Sequence, residues 1–144
     1  MATLERAIQI AVEAHAGQTD KAGQPYILHP LRVMQSLKTD EQRIVGVLHD
    51  VVEDCEGWDF DVLKAEGFKP RIIKALKSVT KRKRGREEYD DFVRRAMEND
   101  IGRHVKRADL IDNMDIMRIS DPTDADLQRL ARYRQAIKIL DGEA

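Results

Sequence analysis

The chain has 144 residues, a length typical of one domain and sufficient to bury a hydrophobic core. Its 25 Lys and Arg residues nearly balance its 26 Asp and Glu residues, so charge favours neither nucleic acid nor an anionic membrane as a partner. The sequence has no apolar run long enough for a membrane span, no signal-peptide pattern at its start, and a single cysteine. These features predict one cytoplasmic domain spanning residues 1–144.

The spacing of apolar residues predicts helices along nearly the whole chain. Thr3 is expected to cap the first helix and Gly17 to end it. The buried face of this helix is predicted to comprise Ala7, Ile8, Ala11, Val12 and His15. A second helix is predicted from Pro30 to about Lys38, which places His29 at its N-terminal boundary.

Thr39 and Gln42 have the spacing of a capping box and predict the start of a third helix. Its buried stripe is predicted to comprise Ile44, Val45, Val47, Leu48, Val51 and Val52. Because the periodicity continues without a break, we expect one helix that includes residues 49–54.

A short helix is predicted at residues 60–65, before Gly67, and Pro70 is expected to start the next one. The basic segment 81–86 (KRKRGR) is predicted to be a solvated connector, as charge runs usually are. Its side chains could instead clamp a polyphosphate or contact RNA, although no aromatic residues are interspersed with them.

Amphipathic patterns follow at residues 87–99 and 104–119. Thr123 and Asp126 predict the cap of a last helix that ends near Leu140. No segment has a convincing strand pattern. The sequence therefore predicts an all-α fold.

His49 and Asp50 interrupt the apolar stripe of the third helix with an imidazole and a carboxylate. Burying such groups is costly unless they are paired or bind a metal. His29 upstream and Asp109 downstream complete a set of two histidines and two aspartates. This donor set, without a thiolate, suits Mn²⁺, Fe²⁺ or Zn²⁺ and would leave coordination positions for water and substrate. A histidine or an HD dipeptide alone is more often an ordinary packed or surface feature, but the joint occurrence favours a metal site.

The segments AHAGQTDKAGQPYILHP, VLHDVVEDC, SVT and KRADLIDN resemble the HD-superfamily hydrolase domain of the Rel/SpoT alarmone enzymes. In particular, the sequence resembles the stand-alone small alarmone hydrolases. The resemblance extends from residue 14 to the last helix, and it implies a single-domain helical bundle around one Mn²⁺ ion. The matching positions make His29, His49, Asp50 and Asp109 the implied ligands.

Glu53 and Asp54 directly follow the HD pair, and the resemblance assigns them to catalysis. A carboxylate beside a metal-activated water can orient that water and accept its proton. From the residues alone, a solvated acidic pair is the alternative. Negative charge at the C-terminal end of a helix is unfavourable, which favours a compensating cation nearby.

The residues predicted to contact the substrate are Lys21, Lys106, Asn113, Arg129 and Tyr133. Lys106 could reach a phosphate, and the others match positions of the family by resemblance. A surface amide at 113 and a solvated Arg129 beside a packed Tyr133 remain alternatives. Asp20 stands where the family has an arginine that contacts the base. An aspartate can neither stack on a purine nor pair with phosphate, so the base preference is open.

The resemblance implies an enzyme that hydrolyses the 3′-pyrophosphate of ppGpp or pppGpp to GDP or GTP and pyrophosphate. One alternative is the same chemistry on another nucleotide, such as ppApp or the 2′-phosphate of NADPH. Another is a catalytically silent protein that senses a nucleotide. The expected partner is thus a nucleotide rather than nucleic acid or a membrane, and the sequence leaves the oligomeric state open.

Overall fold

The computed structural model describes residues 1–82, 85–115 and 118–143. Within these ranges the helices are α1 (Leu4–His15), α2 (Leu28–Ser36), α3 (Asp40–Leu48), α4 (Val51–Asp54), α5 (Phe60–Ala65), α6 (Pro70–Ser78), α7 (Tyr89–Met97), α8 (Gly102–Asn113) and α9 (Asp124–Leu140). Extended pairing in the described residues is confined to an isolated bridge between Thr19 and Pro25. The predicted all-α fold is confirmed. None of the described helices is both long and apolar enough to cross a membrane.

The three threonines predicted as N-caps, Thr3, Thr39 and Thr123, each accept a hydrogen bond from the backbone amide three residues further on. Thr123 forms a complete capping box with Asp126 at the start of α9. Gln42 instead accepts a bond from the amide of the residue before Thr39. Only the threonine half of the capping box predicted for α3 therefore forms.

The buried face of α1 differs from the predicted one at Val12, which is 48% exposed. The buried residues of this helix are Ala7, Ile10, Ala11 and His15. Their spacing of three and four residues defines one stripe, and Val12 lies about 100° around the helix from Ala11. The prediction was wrong at Val12 and missed Ile10, because it extended the stripe from Ala7 and Ala11 towards Val12 instead of towards Ile10.

The prediction of one continuous third helix was also wrong. α3 ends at Leu48, and α4 begins at Val51. Between them lies a junction formed by His49 and Asp50, which we call the HD junction. Asp50 has φ −100° and ψ −2°, in the sparsely populated region typical of turns. Both residues of this dipeptide thus lie at a turn, where adjacent side chains can be directed to one point.

The amphipathic pattern predicted at residues 104–119 coincides with α8 over residues 104–113. This helix starts at Gly102, and Met114 is its C-cap. Residues 116 and 117 of this segment lie outside the described residues, as do Lys83 and Arg84 of the basic segment.

Buried apolar residues hold the segments that carry the candidate metal ligands. Leu48 and Val51 are fully buried on either side of the HD junction, as are Val33 in α2 and Val105 in α8. Full burial of such a side chain contributes roughly 1.5–3 kcal/mol relative to exposure. All four belong to the larger hydrophobic cluster of the described residues, so one core positions α2, α3, α4 and α8 together.

A smaller cluster attaches α9 to α7 and α8. It comprises Val93, Leu110, Ala136, Ile139 and Leu140, with Tyr89, Met97, Tyr133 and Ile137 packed against it. The predicted substrate residues Arg129 and Tyr133 of α9 line a pocket together with Asn113, the last residue of α8.

α6 and α8 approach each other closely at Gly102, where an added Cβ would lie 2.0 Å from the Ser78 Oγ. Ser78 is buried and donates to the Ala75 carbonyl oxygen, so it cannot move freely. We therefore expect Gly102→Ala to lower the free energy of unfolding by about 1–3 kcal/mol, measured by urea denaturation. In the Ser78→Ala background, adding Gly102→Ala should lower the free energy of unfolding much less than it does in the wild type. Equal losses in both backgrounds would contradict this packing account.

Candidate metal centre

His29, His49, Asp50 and Asp109 each offer one ligand atom within 4.8 Å of all the others. They come from α2, the HD junction and α8, and their side chains are 15% exposed or less. The Nε2 atom of His29 lies 2.9 Å from the Asp109 Oδ1, and the Nε2 atom of His49 lies 3.2 Å from the same oxygen. The His49 Nε2 is also 3.0 Å from the Asp50 Oδ2. The four predicted ligands therefore converge.

The second nitrogen of each histidine fixes the orientation of its ring. The His49 Nδ1 lies 2.5 Å from the backbone carbonyl oxygen of Gly46, which can only accept, so this nitrogen carries a proton. The His29 Nδ1 lies 2.6 Å from the Asp112 Oδ2. In the neutral rings both Nε2 lone pairs then face carboxylate oxygens, an arrangement that a cation between them would stabilise. Such backbone and carboxylate partners are typical of histidines that bind metals.

Burial and charge at the centre oppose one another. Burial disfavours the ionised form of Asp109, but Lys106 and His49 outweigh it and hold the pKa of this carboxyl well below its usual range. Burial likewise lowers the pKa of His49, but Asp50 and Asp109 raise it well above the usual value. Two nitrogens and two carboxylates without a thiolate fit a first-row divalent cation.

Three further side chains donate hydrogen bonds to the aspartates of the centre. The Tyr26 hydroxyl donates to the Asp50 Oδ2. The Asn113 Nδ2 donates to the Asp109 Oδ1 at 3.1 Å, and the Lys106 Nζ donates to the Asp109 Oδ2 at 3.3 Å. These donors fix the carboxylates in place.

Lys106, which was predicted to contact a phosphate, is buried. Its side chain is 10% exposed, and its Nζ lies 4.5 Å from the centre of the Phe92 ring. The structure therefore places this lysine as a neighbour of Asp109. Direct contact between Lys106 and a substrate stays a prediction.

Asp112 and Arg32 support the centre but were not singled out from the sequence. Arg32 donates to both carboxylate oxygens of Asp112, through Nε at 2.7 Å and Nη2 at 3.0 Å. Burial opposes ionisation of Asp112, yet the bonds from His29 and Arg32 lower its pKa to about 2. Arg32 follows His29 by three residues and Asp112 follows Asp109 by three. That i, i+3 spacing could have indicated the pair, because such residues share a helix face.

Glu53 and Asp54 lie beside the centre, facing the basic segment. Glu53 accepts a hydrogen bond from the backbone amide of Lys81. A cleft of about 570 Å³ is lined by Glu53, Asp54, Lys81, Arg82, Arg86 and Glu87. Burial raises the pKa values of both acids, and the negative charge of Asp50 raises them further. The described cations of the segment predicted as a connector are thus neighbours of the predicted catalytic acids.

A second pocket, of about 320 Å³, brings together four of the five predicted substrate residues: Lys21, Asn113, Arg129 and Tyr133. It also includes Tyr26, which bonds to Asp50, so the pocket adjoins the metal centre. Within α9, Arg129 is paired with Asp126.

Asp20, which replaces the arginine expected from the resemblance, stabilises the turn that carries Lys21. Its Oδ1 accepts hydrogen bonds from the backbone amides of Ala22 and Gln24, both at 2.9 Å. Asp20 also lines the pocket with Lys21, where it contributes negative charge. An arginine could make neither backbone bond, so this position has a different local structure here.

A helical bundle that converges two histidines and two aspartates on one buried point is the arrangement of an HD domain. The model of the HD domain family matches residues 7–137, and the chain belongs to that family. The predicted resemblance to the hydrolase domain of Rel/SpoT enzymes is confirmed by its relatives.

One relative is the guanosine-3′,5′-bis(diphosphate) 3′-pyrophosphohydrolase of Aquifex aeolicus, 31% identical over 121 residues that cover 77% of this chain and 17% of that protein. Another is a GTP pyrophosphokinase of Streptomyces coelicolor, 36% identical over 124 residues that cover 80% of this chain and 15% of that protein. A Vibrio cholerae protein with the same name as the first is 39% identical over 57 residues, 37% of this chain and 8% of that protein. The chain thus spans only 8–17% of these relatives, whose names describe much longer proteins.

Replacing Asp112 should weaken metal binding although Asp112 is not itself a predicted ligand. Asp112→Asn removes the charge that holds the His29 ring and leaves Arg32 without its ion pair. We expect the affinity for Mn²⁺, measured by isothermal titration calorimetry, to fall about 10- to 100-fold. Asp121→Asn, at an exposed loop residue, is the matched control. Equal affinities of the two variants would show that Asp112 does not support the centre.

Proposed function

We propose that this domain hydrolyses the 3′-pyrophosphate of ppGpp or pppGpp, releasing pyrophosphate and GDP or GTP, with Mn²⁺ as its metal. The observation that carries the proposal is the position of the buried histidine and aspartate cluster. Next to it are a cleft with three acids and three cations, which includes Glu53 and Asp54, and a pocket with four of the predicted nucleotide contacts, which includes the Tyr26 that donates to Asp50. Two relatives whose names specify this reaction support the choice of substrate.

His29, His49, Asp50 and Asp109 would hold the cation, which when bound supplies charge neutralisation and activation of water. Glu53 would orient the attacking water and accept its proton. The bond from the Lys81 amide fixes one carboxylate oxygen of Glu53, which leaves the other for this role. Asp54 is exposed and next to Glu53, so it could pass the proton on to solvent.

The two openings beside the centre suggest how the nucleotide lies. The base would occupy the pocket of Lys21, Asn113 and Tyr133, while Lys81 and Arg82 on the opposite side would neutralise phosphates. The negative charge of Asp20 in the base pocket keeps ppApp and NADPH as second candidates. We place the reaction in the cytoplasm, as predicted from the composition.

The proposal is tested by analysing products after incubation with Mn²⁺ and ppGpp. We expect pyrophosphate and GDP from the wild type and none from Asp50→Ala, because this variant loses a predicted ligand. The same assay with ppApp and NADPH measures substrate preference. Faster turnover of either compound would replace ppGpp as the substrate. Metal binding without turnover of any of them would favour a nucleotide sensor.

The activity should rise with pH through the pKa of Glu53, because only the ionised carboxylate accepts a proton. Burial raises this pKa above the ordinary value of 4.5, so the acidic limb of the kcat/KM profile should lie above that pH. Glu53→Gln should lower kcat about 10²- to 10⁴-fold and remove this limb. Glu56→Gln, an exposed glutamate nearby in the chain, should retain both rate and profile. An unchanged limb in Glu53→Gln would assign the titration to another group.

A further inference from the structure

Arg95 in α7 makes more hydrogen bonds than any other described cation near the cleft of Glu53 and Asp54. Its Nε and Nη2 donate to the two carboxylate oxygens of Glu87 at 2.8 and 2.9 Å. Its Nη1 donates to the Lys77 carbonyl oxygen at 2.5 Å, and Nη2 also donates to the Thr80 carbonyl oxygen at 2.8 Å. The side chains of Arg95 and Glu87 are 17% and 9% exposed, so this is not a solvated surface pair.

The bond to Thr80 matters because of the peptide group to which that oxygen belongs. The Thr80 carbonyl and the Lys81 amide form one planar peptide unit, and the structure describes no cis peptide bond. In a trans peptide the oxygen and the amide hydrogen point in opposite directions. Arg95 holds the oxygen on one side, and Glu53 accepts from the amide on the other. A guanidinium that fixes the carbonyl therefore also directs the N–H towards Glu53.

Glu87 fixes the same segment at a second point. One of its carboxylate oxygens accepts from the backbone amide of Arg82 at 3.1 Å, while both oxygens are held by Arg95. The guanidinium thereby connects the end of α6, residues 80–82 and Glu87, which lies two residues before α7. Lysine has no planar fork of donors and cannot make this set of bonds.

We propose that Arg95 is a positioning residue which, through Glu87 and the Thr80–Lys81 peptide, holds Glu53 in the orientation needed to accept a proton. Arg95 lines neither the metal centre nor the pocket of Lys21, and it is linked to Glu53 through Glu87 and the Thr80–Lys81 peptide. The proposal rests on the proposed catalytic role of Glu53, but the geometry of the peptide can be tested without a substrate.

The first test uses Arg95→Lys, which keeps the charge and loses the fork. Its matched control is Arg94→Lys, on the same helix, whose side chain is 54% exposed and lies 3.7 Å from Asp91. We expect the amide of Lys81 to exchange with solvent about tenfold faster in Arg95→Lys, measured by NMR, as it should in Glu53→Ala. Arg94→Lys should leave this rate unchanged. Wild-type exchange in Arg95→Lys would overturn the proposal.

The second test measures the pKa of the Glu53 carboxyl by NMR. The Lys81 amide lowers this pKa, as does Lys106, whereas Asp50 and Asp54 raise it. Losing the amide bond should therefore raise the pKa of Glu53 in Arg95→Lys and not in Arg94→Lys. The variant Glu87→Gln should act in the same direction, and Arg95→Lys/Glu87→Gln should add little, because both changes break one network. An unchanged pKa of Glu53 in Arg95→Lys would overturn the proposal.

Hydrolysis of ppGpp separates positioning from general stability. In Arg95→Lys we expect kcat to fall about 10- to 100-fold with little change in KM, since the misplaced group acts only in the reaction. A thermal melt verifies that the variant is folded. Wild-type kcat together with altered exchange would overturn the proposed role. If the wild type hydrolyses no nucleotide, the proposed function fails, while amide exchange and the pKa of Glu53 still decide whether Arg95 positions that carboxylate.

Discussion

The structure depends on bringing two carboxylates, Asp50 and Asp109, together in a place from which water is largely excluded. Two carboxylates with oxygens within 4.8 Å of each other repel strongly in a buried environment. The free-energy cost of burying both falls only when cations or hydrogen-bond donors face their oxygens. Lys106, Tyr26 and Asn113 donate to these carboxylates and meet part of this need, and a divalent cation would meet the rest. The core that packs α2, α3, α4 and α8 is what holds these groups at one point.

The sequence was most informative where residue type and burial conflict. His49 and Asp50 stand out because their neighbours Leu48 and Val51 are apolar, and the helix caps were recognisable from threonine alone. The break at the HD junction could not be predicted, because no glycine or proline marks it and the apolar periodicity continues through it. That break decides how the two adjacent side chains can face one point.

The residues that hold the predicted ligands and catalytic acids in place were harder to predict from the sequence than the ligands and acids themselves. Asp112 and Arg32 are common helix-surface residues; their spacing places each on the helix face of a predicted ligand, but only the structure shows their contacts with His29 and with each other. The contact of Glu53 is with a backbone amide, which has no sequence signature. For the basic segment the sequence allowed either a solvated connector or a contact with a ligand. Its described cations line a cleft together with Glu53 and Asp54.

The buried Lys106 has a consequence for the charge of the centre. Asp50 and Asp109 together would balance a divalent cation, so the neighbouring ammonium leaves this cluster with one positive charge in excess. Asp112 does not cancel it, because Arg32 already neutralises that carboxylate. This charge offsets part of the negative charge of Glu53 and Asp54 beside the centre, so a phosphate approaching the ion meets less repulsion than these acids alone would give.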